Sequence, residues 1–511
     1  MAAVDAVFNP SPESLLLGFY FTLLLCLSAY AAHRCYLLYL YTRNRARPTP
    51  SACPAEDLPA VTVQLPIYNE LYVVERLIDA AANLDYPAER LDIQVLDDST
   101  DETQQIAARA VARWQARGVR IQRLRRTVRT GYKAGALAAG LRAARGDAIA
   151  IFDADFLPPR DFLRRSIPAL RQPGVGMVQA RWGHVNQDYS WLTRVQALLL
   201  DAHFVLEHGA RHRGGCFFNF NGTAGVWRRQ AIEDGGGWQP DTLTEDLDLS
   251  YRAQLAGWRF VFLPDLVAPA ELPVEMTAFK LQQQRWATGS IQTCLKVLPA
   301  VLRSGVPRRV KLEACFHLTA NFHYPLLLLA AVLLAPALFA RAPGGAPSFL
   351  VVDLPLFCAA ALSMVNFHAV SQRAVRRDWL SQLKYVPLAM AVGVGLAVNN
   401  TLAVLGALRG GRLRFRRTPK YGVAHRRDEW RTKRYRLARA GQPLAELALG
   451  IYCTLAALAA TAADLFAAAP VLGLFGCGFL YVGGVSLAQQ RRGGLGPAVY
   501  SLPHMTRPRA S

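Results

Sequence analysis

The 511-residue chain carries 58 Lys and Arg against 37 Asp and Glu, a formal net charge of +21, yet 52% of its residues are hydrophobic and only 19% are charged. A chain this long and this apolar is neither intrinsically disordered nor a small disulfide-bonded scaffold, and its 9 scattered cysteines contain no CxxC pair. With a mean hydropathy of +0.14, it is predicted to be a membrane protein whose excess positive charge marks the cytoplasmic loops.

The first predicted element is an apolar run from Ser14 to about Leu40, which exceeds the roughly 20 residues that a spanning helix needs. Asp5 and Glu13 precede it. Arginines lie near its end and after it, namely Arg34, Arg43, Arg45 and Arg47. Because a cleavable signal peptide would have a basic start and a shorter core, this segment is predicted to be a signal anchor with its N-terminus outside.

An α/β domain is predicted from Leu58 to about Leu281, where short β-branched runs alternate with Ala-rich helical stretches such as Glu102–Arg117. The predicted strands are Ala60–Leu65, Asp92–Leu96 and Ala148–Phe152. Buried strands separated by helices are typical of a mostly parallel sheet, whose ligand crevice lies beyond the carboxyl ends of the strands. Each run ends in a polar cluster, so we expect the functional site at that edge.

The last third of the chain contains further apolar runs. Four of them are predicted spans: His317–Ala340, Phe349–Gln372, Leu444–Ala467 and Val471–Ala488. A fifth run, Tyr385–Leu408, lies between two basic loops, and the second loop, Arg409–Gln442, has 13 Lys and Arg against Asp428 and Glu429. Because a span there would place one basic loop outside, this run is predicted to be an interfacial or re-entrant helix at the cytoplasmic face.

The sequence therefore predicts one span before the α/β domain and four after it. The predicted parts are an anchor helix with a basic linker (1–48), a cytosolic α/β domain (49–281), an interfacial helix (282–316), two spans (317–372), an interfacial helix with the basic loop (373–443), two spans (444–490) and a cytosolic tail (491–511).

Two acidic clusters follow predicted strands. Asp153 and Asp155, two residues apart at a strand end, can both approach Mg²⁺ or Mn²⁺ and leave positions open for phosphate oxygens. An isolated pair of this kind is more often a solvated turn. After the second strand, Asp101 or Ser99 can cap the next helix, which leaves Asp97 and Asp98 free to face the crevice.

Two later motifs are expected on helices. Thr244-Glu245-Asp246 would place two carboxylates in a first helical turn, where capping alone also favours acids. Gln282, Arg285 and Trp286 would share one helical face, from which Arg can clamp a diphosphate and Trp can stack on a sugar ring. In isolation, the second motif is explained better by an amphipathic helix at a membrane surface.

The ordered combination of these motifs resembles the processive family 2 glycosyltransferases, which include cellulose, chitin, hyaluronan and mannan synthases. Their D,D,D,QxxRW signature is present as Asp98, Asp155, Asp246 and Gln282-x-x-Arg285-Trp286. Longer strings are similar to plant cellulose-synthase-like proteins that make (gluco)mannan or xyloglucan backbones: Gln94–Asp101, Gly131–Leu137, Ile151–Phe156, Val178–Trp182 and Phe220–Arg228. The resemblance is close over about residues 58–300 and implies a GT-A-like α/β domain between transmembrane helices.

The resemblance also implies a role for each matching residue. Asp246 is the general base that deprotonates the acceptor hydroxyl, and Asp153 and Asp155 hold Mg²⁺ or Mn²⁺. The nucleotide sugar is bound by Tyr68, Glu70, Asp97, Asp98, Lys133, Asp153, Asp155 and Arg285. The acceptor is bound by Asn221, Gly222, Thr223, Glu245, Gln282 and Trp286.

The segment Phe415–Gly422 of the basic loop resembles the Phe-x-Val-Thr-x-Lys-Gly gating loop of bacterial cellulose synthases. Phe415, Thr418 and Lys420 match that pattern, whereas Arg417 takes the place of Val. A polybasic strip on anionic lipid is the compatible alternative for the same residues.

The predicted function is an inverting transferase that polymerises a β-linked hexan (mannan, glucomannan or glucan) and translocates it. The resemblance implies that the linkage is β-1,4. The implied partners are GDP-mannose, GDP-glucose or UDP-glucose, the growing polysaccharide and the bilayer of an inner, plasma or Golgi-type membrane. Nucleic acid is excluded as a partner because the charge lies beside the spans. The alternatives are a non-processive family 2 transferase with a lipid-linked acceptor and a nucleotide-binding transporter, which would have no use for Asp246.

Overall fold

A computed structural model of the chain describes residues 11–44, 58–341, 348–410, 415–435 and 441–492, without the side chains of the last two. The predicted tail beyond residue 492 lies outside this part of the chain, as do Asp5, Arg45 and Arg47 near the predicted anchor. Four arginines of the basic loop also lie outside it, at positions 412, 414, 436 and 439.

A seven-stranded sheet forms the centre of the α/β domain, in the order β3-β2-β1-β4-β6-β5-β7. All neighbouring strands are parallel except at β6, which is antiparallel to β4 and to β5. The mostly parallel sheet predicted from the sequence is therefore confirmed. The strands are β1 (Val61–Ile67), β2 (Leu91–Asp97), β3 (Ile121–Leu124), β4 (Ala148–Ile151), β5 (Val175–His184), β6 (Gly225–Arg228) and β7 (Arg259–Ala270).

Helices pack on both faces of the sheet. Ala148 and Ala150 of β4 belong to one buried apolar cluster, and Ile149 and Ile151 belong to the other, because successive side chains of a strand point to opposite faces. The α-helices of the domain are Val74–Ala82, Thr103–Gln115, Tyr132–Ala143, Phe162–Leu170, Trp191–Ala202, Gly209–Gly214, Arg229–Asp234 and Glu245–Leu255, and a π-helix covers His203–His208.

The carboxyl ends of the strands bring the polar clusters together. Ile67 at the end of β1 lies opposite Asp97 at the end of β2, and the Asp98 amide donates to the Ile67 carbonyl at 3.0 Å. Asn69 turns the chain away with a φ of 56°, a left-handed conformation that Asn adopts more readily than most residues. The turns after β1, β2 and β4 therefore meet at one edge of the sheet.

Five helices of the described residues are long and apolar enough to cross a membrane: Pro12–Arg43, Arg308–Phe339, Asp353–Val375, Gln442–Ala462 and Ala469–Gln490. One precedes the α/β domain and four follow it. Large apolar side chains are exposed on these helices, among them Leu25, Leu362, Leu455 and Leu458. Exposed apolar helices of this length indicate an integral membrane protein.

The second of these spans is divided into Arg308–Thr319 and His323–Phe339 by a short 3₁₀ turn, so it begins nine residues before the predicted start at His317. The helix that carries the QxxRW motif runs over Met276–Arg303, and the predicted domain boundary at residue 282 falls inside it.

The apolar run Tyr385–Leu408 contains two helices, Val386–Gly395 and Ala397–Leu408. With the short helix Trp379–Gln382 in front, they form a pair bent by 43°. Asn399 is buried here, and its side-chain amide donates to the Lys280 carbonyl at 2.9 Å, which joins the pair to the QxxRW helix. The interfacial position of this pair stays a prediction.

Candidate active site

One cavity at the carboxyl edge of the sheet collects nearly all the residues that the sequence singled out. Its walls come from the turns after β1, β2 and β4, the helices that begin at Glu245 and Met276, and the basic loop. The predicted residues that line it are Tyr68, Glu70, Asp98, Lys133, Asp153, Asp155, Asn221, Gly222, Glu245, Asp246, Gln282, Arg285, Trp286, Phe415, Thr418 and Lys420.

Two predicted residues, Asp97 and Thr223, do not line this cavity but support its wall. Asp97 is buried, and its carboxylate accepts from the Ser99 amide at 2.9 Å and lies 3.0 Å from Arg123. The Thr223 hydroxyl accepts from the Asp153 amide at 2.9 Å. The structure thus differs from the expectation that Asp97 faces the crevice. The Asp97 carboxylate contacts Ser99 and Arg123 instead.

The Asp153-x-Asp155 pair is contacted by two lysines. Lys133 Nζ lies 2.6 Å from Asp153 and donates to the Gly222 carbonyl at 2.8 Å, and Lys420 Nζ contacts Asp155 Oδ2. Burial alone would lower the pKa of Lys133, but the carboxylates of Asp153 and Glu245 outweigh burial and raise it. Positive charge is therefore fixed beside both members of the pair.

The same pair fits a divalent cation. Asp155 Oδ1 is buried and accepts no hydrogen bond from the described residues, which leaves one hard oxygen available. Within the described part of the chain, no group of three or more His, Cys, Asp and Glu side chains could hold a metal. A two-carboxylate site that relies on substrate phosphates for its other ligands is the usual arrangement for Mg²⁺.

A cluster of arginines lies on the side of the cavity that is formed by Tyr68 and Asp98. Arg126 contacts both carboxylate oxygens of Asp98, at 3.0 and 2.5 Å, and the Arg129 guanidinium lies 3.4 Å from the centre of the Tyr68 ring. Arg129 lines the cavity, yet sequence reasoning missed it, because it stands in the loop after β3 with two other arginines, Arg125 and Arg126, that look alike in the sequence.

Glu245 and Asp246 occupy the first turn of the helix Glu245–Leu255, as the sequence predicted. Burial raises the pKa of Glu245, and the adjacent Asp246 carboxylate raises it further. Burial also raises the pKa of Asp246, although Lys133 opposes this effect. A carboxylate whose proton affinity is increased in this way is suited to general-base chemistry near neutral pH.

The QxxRW motif lies on the cavity side of the helix Met276–Arg303, so its three side chains share one face as expected. Burial lowers the pKa of Arg285, while Asp153 and the other carboxylates of the cavity oppose that effect and favour the charged form. The Trp286 ring lies 6.5 Å from the ring of Trp182, a second cavity residue at the end of β5. The two indoles offer apolar surface for a sugar ring.

The basic loop covers the cavity. The guanidinium of Arg417 donates to both carboxylate oxygens of Glu70, at 2.8 and 2.5 Å, and Phe415 stacks on Tyr132 at 5.5 Å between ring centres. Burial raises the pKa of Glu70, whereas Arg417 opposes that effect. Arg417 is the residue that departs from the gating-loop pattern. Its contact with Glu70 was not predicted from the sequence.

Further contacts hold the loop to the α/β domain. Both carboxylate oxygens of Glu271 accept backbone hydrogen bonds, from Tyr421 and from Gly422, each at 2.8 Å. Gly422 has a φ of 66°, and a Cβ there would lie 2.8 Å from the Tyr72 carbonyl, so only glycine suits this position. Glu271 also pairs with Arg76 at 2.9 Å. Sequence reasoning did not identify Glu271, because its contacts are with Tyr421 and Gly422, which are distant from it in the sequence.

A mostly parallel sheet with an acidic cavity at its carboxyl edge is the GT-A-like glycosyltransferase fold. The structure of a mannosyltransferase from Pyrobaculum calidifontis, in complex with GDP-Man and Mn²⁺, is similar to this chain with a TM-score of 0.51 and 23% sequence identity, over 76% of this chain and 99% of that one. This likeness confirms the predicted fold class.

Residues 59–289 match the family model described as "Glycosyltransferase like family 2", so this part of the chain is a glycosyltransferase family 2 domain. The chain is 46% identical over 255 residues to glucomannan 4-beta-mannosyltransferase 2 of Arabidopsis thaliana, covering 49% of this chain and 48% of that protein. It is 41% identical over 288 residues to glucomannan 4-beta-mannosyltransferase 1 of Oryza sativa subsp. japonica, covering 55% of each. The chain spans about half the length of these curated relatives, and the resemblance predicted from its motifs is confirmed.

Proposed function

We propose that the protein is a membrane-embedded, inverting mannosyltransferase that extends a β-1,4-linked mannan or glucomannan from GDP-mannose. The observation that carries the proposal is that Asp246, the Asp153-x-Asp155 pair and Arg285-Trp286 line one cavity. The names of the similar plant proteins favour mannose as the transferred sugar and a (1→4) linkage. GDP-glucose and UDP-glucose are the competing donors.

The residue types suit a single displacement at the anomeric carbon. Asp246 accepts the proton of the acceptor hydroxyl, and its raised pKa matches that task. Arg285 and Lys133 stabilise the negative charge that develops on the leaving diphosphate. With one base and no covalent intermediate, an α-linked donor gives a β-linked product.

The donor occupies the side of the cavity formed by Tyr68, Asp98 and the Asp153-x-Asp155 pair. When bound there, Mg²⁺ or Mn²⁺ would supply positive charge to the diphosphate oxygens. Lys133 and Lys420 already place two ammonium groups beside these carboxylates, so the nucleotide end of the donor would meet a largely neutralised surface. Arg129, which lies over the Tyr68 ring, would further fix the position of the nucleoside.

The basic loop acts as a gate over the donor. Its contacts through Arg417, Lys420 and Phe415 hold it above the nucleotide side of the cavity, and opening it would require breaking the contacts with Glu70 and Asp155. We place the α/β domain and this loop in the cytosol, because 13 Lys and Arg in Arg409–Gln442 favour the cytoplasmic face. The product would then leave between the membrane helices during successive additions.

The test is incorporation of label by membranes that contain the protein, using radiolabelled GDP-mannose, GDP-glucose and UDP-glucose separately. Each donor is supplied with Mg²⁺, with Mn²⁺ or with a chelator, and the product is digested with β-1,4-mannanase or with cellulase. We expect a polymer from GDP-mannose that mannanase degrades, and no incorporation with the chelator.

Two outcomes would contradict this proposal. Polymer from UDP-glucose alone, sensitive to cellulase, would identify a glucan synthase instead. Label that is recovered only in lipid-extractable material would favour the non-processive transferase with a lipid-linked acceptor. A cavity variant, Asp246→Asn, serves as the negative control for background activity of the membranes.

A further inference from the structure

A buried polar cluster lies behind the acceptor side of the cavity, next to Asn221. It is formed by the segment that follows the helix Trp191–Ala202, where a π-helix covers His203–His208 before the helix Gly209–Gly214 begins. A π-helix inserts an extra residue into a helical turn, and such insertions are frequent at functional sites. This segment carries His203, Glu207 and Arg211 on its inner side, toward Asn221 and Glu313.

A chain of hydrogen bonds joins these residues to Asn221. The Glu207 carboxylate lies 2.9 Å from His203 Nδ1 and accepts from Arg211 at 3.4 Å, and His203 Nε2 lies 3.0 Å from the Asn221 side-chain nitrogen. Burial would raise the pKa of Glu207, but the His203 ring and the Arg211 guanidinium outweigh burial and hold it well below its usual range. Glu207 is therefore ionised and can only accept.

The placement of the Asn221 amide sets the direction of each bond in the chain. Its NH₂ group, which only donates, lies 3.0 Å from His203 Nε2, so Nε2 accepts. The other ring nitrogen, Nδ1, then donates to the Glu207 carboxylate. The Asn221 oxygen is turned away from the ring, and this buried Oδ1 has no hydrogen-bond partner among the described residues.

Asn221 stands beside the reacting groups. It lines the cavity next to Gly222, whose carbonyl accepts from Lys133 at 2.8 Å. A Cβ at Gly222 would lie 2.8 Å from Asp246 Oδ2, so the backbone here passes directly along the proposed base. An unpaired amide oxygen in this wall is costly unless a donor reaches it, and a sugar hydroxyl is such a donor.

We propose that His203 and Glu207 are positioning residues, which orient the Asn221 amide so that its oxygen accepts a hydroxyl of the acceptor sugar. This inference rests on the proposed function in one respect, namely that a sugar acceptor occupies this side of the cavity. Neither His203 nor Glu207 lines the cavity. Arg211 in turn holds Glu207 and is paired with Glu313 at 2.9 Å, which anchors the cluster to the helix Arg308–Thr319.

The test compares two substitutions of His203 by equilibrium binding to the purified full-length protein. The His203→Phe variant keeps a ring but has no acceptor for Asn221. The His203→Gln variant places an amide oxygen near the position of Nε2 and can restore that acceptor. His212→Phe, a histidine on the neighbouring helix that does not line the cavity, is the matched control.

The ligands are β-1,4-mannohexaose and GDP, measured separately by the fluorescence of the cavity tryptophans. We expect His203→Phe to weaken mannohexaose binding about 10-fold, the effect of losing one well-placed hydrogen bond. His203→Gln should stay within about 3-fold of the unmodified protein, since its acceptor is restored. GDP binding should be unchanged in all three variants.

Unchanged mannohexaose binding in His203→Phe would overturn the proposal, and so would an equal loss of GDP binding, which indicates general damage. A His203→Gln variant as weak as His203→Phe would also overturn it. If the unmodified protein binds mannohexaose but transfers no mannose from GDP-mannose, the proposed function fails while the binding comparison still decides the role of His203. If the unmodified protein does not bind mannohexaose, the positioning role is refuted even where transfer is observed.

Discussion

The cavity contains two pairs of carboxylates in contrasting surroundings. Asp153 and Asp155 follow a buried strand, and each is contacted by a lysine, Lys133 at 2.6 Å and Lys420. Glu245 and Asp246 begin a helix, and burial together with the neighbouring carboxylates raises the pKa of both. The negative charge of Asp153 and Asp155 is therefore balanced by lysines. Glu245 and Asp246 have a raised pKa and bind a proton more readily than free carboxylates.

The contrast teaches that environment, rather than residue type, divides the chemical work between these four acids. The Asp153-x-Asp155 pair keeps a free carboxylate oxygen, Asp155 Oδ1, beside two lysines, which suits it to binding a cation next to a diphosphate. A pair whose pKa is raised is suited to taking a proton from a hydroxyl during the reaction. Substitutions in each pair should therefore fail in different ways, and the following predictions run from the largest expected effect to the smallest.

Asp246→Asn should lower kcat by about 10²–10⁴-fold, because an amide cannot accept the proton of the acceptor hydroxyl. GDP binding should be nearly unchanged, since the nucleotide contacts lie elsewhere in the cavity. The measurements are label incorporation and the Kd of GDP. Asp241→Asn, an exposed carboxylate that pairs with Lys296 outside the cavity, is the control. Full polymerising activity of Asp246→Asn would refute its role as the base.

Asp155→Asn should lower activity by roughly 10²-fold, the loss of a few kcal/mol of charge stabilisation. Unlike Asp246→Asn, it should also raise the Mn²⁺ concentration that supports half of the remaining activity. A Mn²⁺ titration of both variants measures the difference. If the two variants showed the same dependence on Mn²⁺, the division between the two pairs would be wrong.

Lys420→Ala should slow transfer about 10-fold, because it removes one charge beside Asp155 and loosens the contact of the basic loop with the cavity. The KM for the donor should rise more than the KM for the acceptor. Deletion of Thr418–Gly422 should slow transfer further without disturbing membrane insertion. Arg427→Ala, an exposed arginine of the same loop, is the control. Equal effects of Lys420→Ala and Arg427→Ala would show that the loop acts only through its overall positive charge.

Glu245→Gln should have the smallest effect at neutral pH and a visible effect on the pH profile. Asp246 acts in its ionised form, so activity falls as the pH drops through its raised pKa. Removing the adjacent carboxylate makes Asp246 easier to ionise, and the acid limb of kcat should move down by about one pH unit. An unmoved or higher limb would show that the two carboxyl groups do not titrate together.

The sequence predicted the strands near the site well, because they are short runs of buried apolar residues. Ala60–Leu65, Asp92–Leu96 and Ala148–Phe152 correspond to β1, β2 and β4 within one or two residues at each end. It did not predict β7, an edge strand that contains Pro264 and Pro269 and so lacks the usual strand pattern.

In the candidate site, motifs formed by neighbouring residues could be predicted from the sequence, whereas contacts between residues far apart in the sequence could not. The acidic clusters and QxxRW are local patterns at strand and helix ends, so their meeting follows from the sheet topology. The pairing of Glu70 with Arg417 joins residues 347 positions apart, and no local pattern contains it. The bond between His203 and Asn221 depends on the path of a π-helix, which leaves no signature in the amino-acid pattern.

The loop contacts also set an order of events during synthesis of the protein. A ribosome that has released residues up to 410 has made every carboxylate of the cavity, but neither Arg417 nor Lys420. At typical elongation rates of about 5–20 residues per second, the domain waits several seconds after its own completion for these cations. By then three of the five long apolar helices of the described residues have been made, and Gln442–Ala462 and Ala469–Gln490 are still to come. The contacts between the basic loop and the cavity are therefore completed late in translation, shortly before the last two long apolar helices of the described residues are made.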